Sequence, residues 1–367
     1  MGKVDYFMVN LKKPNPIYYA GETLSGNLEL RINTRMKINS IKMHVYGKAR
    51  VWWQETEHYR SHGKSHSRTC TYSAYENYIE SCLFFLVKQN DELYIEAGYY
   101  SYPFNILLPS NLPTSFEHRI GNIRYSLVAT IDIPWAFDVH SVRSFSVLSH
   151  FDLNSMQALR QPMGVSGMKQ FCCGPCKSDP VIISRPSFSV SISKTGFVPG
   201  ETIFFSVKID NKSNKKLDKI TIYLNQKIAF HARCKSKSVY RTVAFLKCPK
   251  SIEKKSIEKW EDRFLIPSIC SSSNGTCHII QVAYDISFEF GSSGLSLNKN
   301  LRIPLVIGTI PLRSNENQSI NYPFSFQASH FESEANTNME LKGEIVKSDV
   351  ETYKPFYPYY DFTQLPS

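Results

Sequence analysis

Residues 21–49 recur without a gap at residues 200–228, 179 positions further along the chain. Gly21-Glu22-Thr23 returns as Gly200-Glu201-Thr202, and the apolar positions behind it keep step. Leu24 matches Ile203, Leu28 matches Val207, Leu30 matches Ile209, Ile38 matches Leu217, Ile41 matches Ile220, Met43 matches Ile222, Val45 matches Leu224 and Ala49 matches Ile228. One packing pattern written twice, about half of the 367 residues apart, predicts two similar domains in tandem. Within each copy the apolar period is two, so each run reads as a strand with one buried face. The polar stretches 33–39 and 211–218 read as hairpin loops. Alternation resumes at Ile123 to Ile131 and at Val282 to Phe288, and no helical stripe accompanies it. The fold expected is all-β: two tandem immunoglobulin-like β-sandwiches with a disordered C-terminal tail. The expected segments are an N domain over 1–150, a linker with a cysteine cluster over 151–180, a C domain over 181–312 and an acidic tail containing Tyr and Pro over 313–367.

Charge divides along the same lines. The chain carries a net charge of +11. Residues 314–367 hold three Lys against eight Asp or Glu, so the excess lies in the body. Lys208, Lys212, Lys215, Lys216 and Lys219 form a candidate patch for an acidic partner or an anionic membrane. No nucleic-acid motif accompanies the charge, and nucleic acid is not an expected partner. No apolar run approaches the ~20 residues that span a bilayer. Nine cysteines are too sparse for a disulfide scaffold and suit a reducing compartment.

Several signposts then fall in order. They are Tyr19-Ala20-Gly21-Glu22 and Val198-Pro199-Gly200-Glu201, Gly47-Lys48-Ala49-Arg50-Val51-Trp52-Trp53, Tyr102-Pro103-Phe104 before Leu108-Pro109, and Ser115-Phe116-Glu117 before Ile123-Arg124-Tyr125 and Pro134-Trp135. Phe151-Asp152-Leu153-Asn154 and Pro304 to Leu312 complete the set. Together they resemble the alpha-arrestins, or arrestin domain-containing proteins, over roughly residues 4–312. The resemblance implies a non-enzymatic cytoplasmic adaptor at the plasma membrane or endosomes. Its partners would be membrane-protein cargo tails and the trafficking or ubiquitination machinery. It implies no cofactor and no catalytic residue. Members of the family often recruit ubiquitin ligases through Pro-Pro-x-Tyr motifs, which WW domains grip as preformed extended helices. This chain has no Pro-Pro dipeptide, and the nearest fragment is Tyr357-Pro358-Tyr359-Tyr360. Tyr357, Pro358 and Tyr360 are therefore the candidate partner-binding residues. The acidic tail is also expected to lie back across the basic second domain and compete with acidic partners.

Three cysteine and histidine constellations remain. Cys173-Gly174-Pro175-Cys176 spells a thioredoxin-type motif, but Pro180 and Pro186 disfavour the helix that would lower the first thiol's pKa. Cys172, Cys173 and Cys176 read rather as linker cysteines or lipidation sites beside a basic body. His58, His62, His66 and Cys70, spaced by four, would share one side of either a helix or a strand and could hold zinc, although the intervening Gly and Ser favour a solvated hairpin loop. Cys270 and Cys277 flank a loop and lack a second ligand pair. The alternative to the adaptor is a thioredoxin-binding redox regulator of the same fold, acting through Cys248 in Lys-Cys-Pro-Lys.

Overall fold

The computed structural model describes residues 3–168, 186–292, 298–313, 322–329, 344–348 and 353–363. In the first half, Val4–Leu11, Thr23–Ile32 and Gly98–Leu107 form one antiparallel sheet. The second sheet contains, in spatial order, Ile17–Tyr19, Val139–Leu148, Gly121–Asp132, Ser40–Ser61 and Lys64–Val87. The second half repeats the plan. Met163–Met168, Ser187–Ile192, Thr202–Asn211 and Ser256–Leu265 form one sheet. Gly196–Phe197, Lys299–Ile307, Ile280–Gly291, Lys219–His231 and Ser236–Lys247 form the other. All eight apolar pairs of the sequence repeat are buried, none more than 4 % exposed. Burying each of the Leu, Ile, Val and Met side chains is worth about 1.5–3 kcal/mol.

The repeated Gly-Glu makes the same turn twice. Gly21 and Gly200 sit at φ +83° and +88°, a region that costs other residues roughly 1–2 kcal/mol. The carboxylate of the next residue then closes the loop. Glu22 Oε2 accepts from the Tyr19 backbone N–H (3.0 Å), and Glu201 Oε2 accepts from Val198 N–H (3.1 Å). Each second carboxylate oxygen meets a lysine, Lys13 or Lys194. Burial raises the Glu201 pKa while Lys194 opposes the shift. Gly21 N–H reaches Pro109 O (3.0 Å), and Gly200 N–H reaches Ile266 O (2.9 Å).

The structure corrects four expectations. First, the 33–39 and 211–218 segments are not hairpin loops. Thr23–Ile32 and Ser40–Ser61 lie in different sheets, as do Thr202–Asn211 and Lys219–His231, so each segment crosses from one sheet to the other. Alternation cannot separate these cases, because facing sheets bury their apolar sides in the same core. Second, Met163–Met168 is not connecting chain but a strand paired with Ser187–Ile192. Third, residues 58–70 do not form a loop. Ser40–Ser61 and Lys64–Val87 pair to their tips through a two-residue turn, with His62 at φ 51° and Gly63 at φ 75°. Fourth, the segment after Leu312 is structured where it is described. Phe324–Ala328 pairs with Phe356–Tyr360, and Glu344–Ser348 runs parallel to Val139–Leu148.

Candidate functional site

The two sandwiches meet along a polar seam built from the signpost motifs. Phe151 N–H donates to Thr309 Oγ1 (2.8 Å), and Thr309 Oγ1 donates to Ser149 O (3.0 Å). Asn154 Nδ2 reaches Pro311 O (2.9 Å). The Phe-Asp-Leu-Asn segment and the final Gly-Thr-Ile-Pro segment are thus two sides of one contact. Gly308 permits it: a Cβ there would stand 2.5 Å from Leu153 Cγ. Beside the seam, Glu117 and Arg124 form a bidentate pair at 2.6 and 2.8 Å. Burial raises the Glu117 pKa, and Arg124 works against that rise.

Two further contacts tie the domains. In the outer part of the long hairpin, Glu55 meets Lys235 at 2.5 Å and Lys237 at 3.3 Å, and Lys235 also lies 4.9 Å from the Tyr72 ring centroid. Lys235, above all, holds the Glu55 carboxyl below its ordinary range. His118 stacks on Phe230 across the seam at 5.0 Å. Burial, then Arg241 and Arg119, hold its pKa down at about 4. Unfolded His118 binds its proton near pH 6.5, whereas the folded ring stays neutral to about 4. The unfolded state therefore holds more protons between these values, and stability falls as pH drops through that window. Thermal unfolding from pH 7 to pH 4 should show a steeper loss in the native chain than in His118→Phe, which keeps a ring and cannot titrate. Equal slopes would exclude His118 as the source.

A strap of the chain's own tail occupies the seam. Three tyrosine hydroxyls each donate to a backbone carbonyl: Tyr353 to Phe145 O (3.2 Å), Tyr357 to Ser115 O (3.1 Å) and Tyr360 to Thr309 O (2.6 Å). Ser115 and Phe145 belong to the first sandwich, and Thr309 follows the last strand of the second. Tyr360 N–H also donates to Pro199 O (3.0 Å), so its backbone rests on the Pro-Gly turn. The fit depends on Gly200, where a Cβ would lie 2.1 Å from Tyr360 O. At the equivalent Gly21 the nearest atom would be 3.7 Å away. Burial raises the Tyr357 and Tyr360 pKa values, that of Tyr360 to well above its ordinary range.

Tyr357 and Tyr360 are 3 % and 7 % exposed, and Pro358 is buried with them. In this state Tyr357-Pro358-Tyr359-Tyr360 is a strand in the core and not a displayed extended helix. A partial likeness to Pro-Pro-x-Tyr marked the segment as a motif but could not reveal that its own chain fills the role of ligand. The lysine candidates lie elsewhere. Lys208 is opposite Lys259 on the outer face, Lys212 pairs with Asp210 (3.0 Å) and Lys216 with Glu253 (2.6 Å), while Lys215 and Lys219 are exposed. The described tail holds the body by tyrosine–carbonyl bonds, not across these lysines. Cys172, Cys173 and Cys176 lie outside the described residues. His58 stands opposite Ser67 and His66 opposite Tyr59, which puts the two histidines on opposite faces of the hairpin. Among the described residues no group of three His, Cys, Asp or Glu side chains is placed to hold a metal. Burial pushes the Cys248 thiol up, which disfavours the thiolate that redox exchange needs.

A duplicated sandwich with this seam defines a class, that of two-domain arrestin folds. Residues 7–154 match the family model "Arrestin (or S-antigen), N-terminal domain", and residues 184–312 match its C-terminal counterpart. The chain is 30 % identical over 329 residues to Arrestin domain-containing protein 17 of Caenorhabditis elegans, covering 85 % of this chain and 72 % of that protein. It is 29 % identical over 319 residues to human Arrestin domain-containing protein 4, covering 85 % and 73 %. To mouse Arrestin domain-containing protein 1 it is 25 % identical over 313 residues, covering 84 % of this chain and 65 % of the relative. The chain belongs to the arrestin domain-containing proteins, the alpha-arrestins.

Proposed function

We propose that this chain is a non-enzymatic, arrestin-like adaptor that links membrane-protein cargo to the trafficking or ubiquitination machinery. It works from the cytoplasm, in peripheral contact with the plasma membrane or endosomes. The observation that carries the reading is the tail strap across the seam of an arrestin scaffold. A segment that binds its own body through main-chain carbonyls occupies a surface suited to extended peptides. Strap closure and partner access then compete, which is how an adaptor is held idle until its cargo arrives. No helix among the described residues is long and apolar enough to cross a membrane, so membrane contact would come through cargo or the surface.

Proximity labelling in cells, with the whole chain and with a chain ending after Leu312, tests this. Membrane proteins and trafficking or ligase components should be enriched, and more strongly without the tail. Enrichment of soluble metabolic enzymes alone would reject the adaptor.

A further inference from the structure

The loop that joins Gly121–Asp132 to Val139–Leu148 caps the pole of the first sandwich that lies away from the seam. Gly121 begins its strand at the seam, where a Cβ would lie 3.2 Å from Phe230 Cδ1 of the second sandwich. The twelve residues of that strand then carry the chain roughly 35 Å to Asp132. There it presents Pro134-Trp135-Ala136-Phe137, four apolar residues in a row. Trp135 is 105 % exposed and Phe137 82 %, the two most open large apolar side chains among the described residues. An exposed apolar run of this length is a fault in a fold unless it meets something. At the same pole Ser40 stands between Asp132 and Val87, and Val87 is 48 % exposed.

Two further observations single the loop out. Trp135 sits at φ 61°, a region that strains a bulky residue and suits Gly. The other non-glycine residues at positive φ among the described ones, His62 and Lys255, are polar. A ring as open as that of Trp135 gains no packing in return, so the strain is not offset within the fold. The loop's carboxylates, in turn, are committed at its base. Asp132 Oδ1 accepts from Asn39 Nδ2 (2.7 Å) while its Oδ2 lies 3.8 Å from Lys42 Nζ, and Asp138 Oδ1 accepts from Ile133 N–H (3.3 Å). The apex is therefore a protruding, uncharged Trp-Phe tip. A second copy offers it no apolar socket in the hollows of about 500 and 570 Å³, because Asp285, Glu289 and Arg302 line one and Glu57 and Arg68 the other. A bilayer interface accepts such a tip: the Trp N–H stays among the headgroups while the ring rests at the acyl boundary, and the Phe ring enters beside it.

We propose that Trp135 and Phe137 form a membrane-inserting tip that enters the interfacial layer of a phospholipid bilayer. This deepens the adaptor reading by locating the membrane contact it proposes, and it rests on that reading only for which membrane is met. Insertion draws on apolar burial and not on charge, so it needs no anionic lipid and survives salt. Attachment by this pole holds the seam and its strap up to about 35 Å from the lipid, where cargo tails can reach them.

The test is partition of the purified full chain onto phosphatidylcholine vesicles, with and without phosphatidylserine, at low and high salt. The native chain should bind both, and brominated phosphatidylcholine should quench part of its tryptophan fluorescence. W135F should keep binding and lose that quenching, which assigns the quenched ring among the four tryptophans. W135S and F137S, at exposed positions and checked for unchanged thermal unfolding, should each lose about tenfold in partition, the low end of what burying a large apolar side chain supplies. W135G should lose binding without lowering the thermal midpoint, since it removes the strain along with the ring. The tip is overturned by absence of vesicle binding, by binding that appears only with phosphatidylserine and vanishes in salt, by quenching retained in W135F, or by full binding of the double variant W135S with F137S. Self-association that the double variant abolishes, with no vesicle binding, would also overturn it and make the occupant a second copy. Membrane-protein labelling in cells that the double variant abolishes, again with no vesicle binding, would overturn it in favour of a partner protein. Vesicle binding with labelling of soluble enzymes alone would keep the tip and remove the adaptor; membrane-protein labelling unchanged in the double variant, without vesicle binding, would do the reverse.

Discussion

Gly200→Ala expels the tail strand, whereas Gly21→Ala leaves it in place. Both substitutions put a side chain at positive φ and cost roughly 1–2 kcal/mol for that alone. Only at Gly200 does the new methyl meet backbone, 2.1 Å from Tyr360 O and 2.8 Å from Tyr360 N. Backbone pinned by the Tyr360–Pro199 hydrogen bond cannot yield as a flexible side chain would. The strap must leave, and with it the burial of Tyr357 and Tyr360 and their two carbonyl contacts. Amide exchange over residues 353–363 should rise to the rate of an open chain in Gly200→Ala and stay slow in Gly21→Ala. Protection retained in Gly200→Ala would mean that the strap is held by something other than this turn.

Glu117→Ala should destabilise the first sandwich by about 3–5 kcal/mol, because it strands the Arg124 guanidinium where little water reaches. The Glu117 side chain is 5 % exposed and that of Arg124 is 18 % exposed, so solvent can screen little of the remaining charge. The double variant Glu117→Ala with Arg124→Met should recover most of the loss, since an apolar pair of similar volume removes the desolvation cost from both sides. Chemical denaturation of the single and double variants provides the measurement. A double variant as unstable as Glu117→Ala would show that the pair is valued for more than its charges, for instance through the neighbouring turn.

The duplicated core was readable because alternation is a local property and both copies share it. Leu24 through Ala49 and their counterparts required no knowledge of partners to be assigned to the interior. Sheet membership was not readable in the same way. Thr23–Ile32 and Ser40–Ser61 have the same pattern whether they pair with each other or face each other, and only the tertiary structure shows that they face. The long hairpin looks like a loop in sequence because its Gly63 and serines resemble punctuation, yet two residues at positive φ suffice to turn it. The tail was hidden for a different reason. Its polar stretches look unstructured, and the tyrosines that hold it use main-chain carbonyls, which have no signature in side-chain spacing.

Tethering gives the strap a quantitative consequence. A segment covalently joined to the groove it fills acts as if present at roughly millimolar concentration. A free peptide that fits the seam equally well would have to be supplied at that level to displace half of it. At cellular abundances a lone short motif therefore cannot open the molecule. Opening demands avidity: a partner that grips at two places, or many copies of it gathered on one surface. The threshold also includes the strands that anchor the strap, since Phe324–Ala328 pairs with it and Glu344–Ser348 pairs with the first sandwich, so weakening either pairing should lower how much clustered cargo is needed before the domains are exposed.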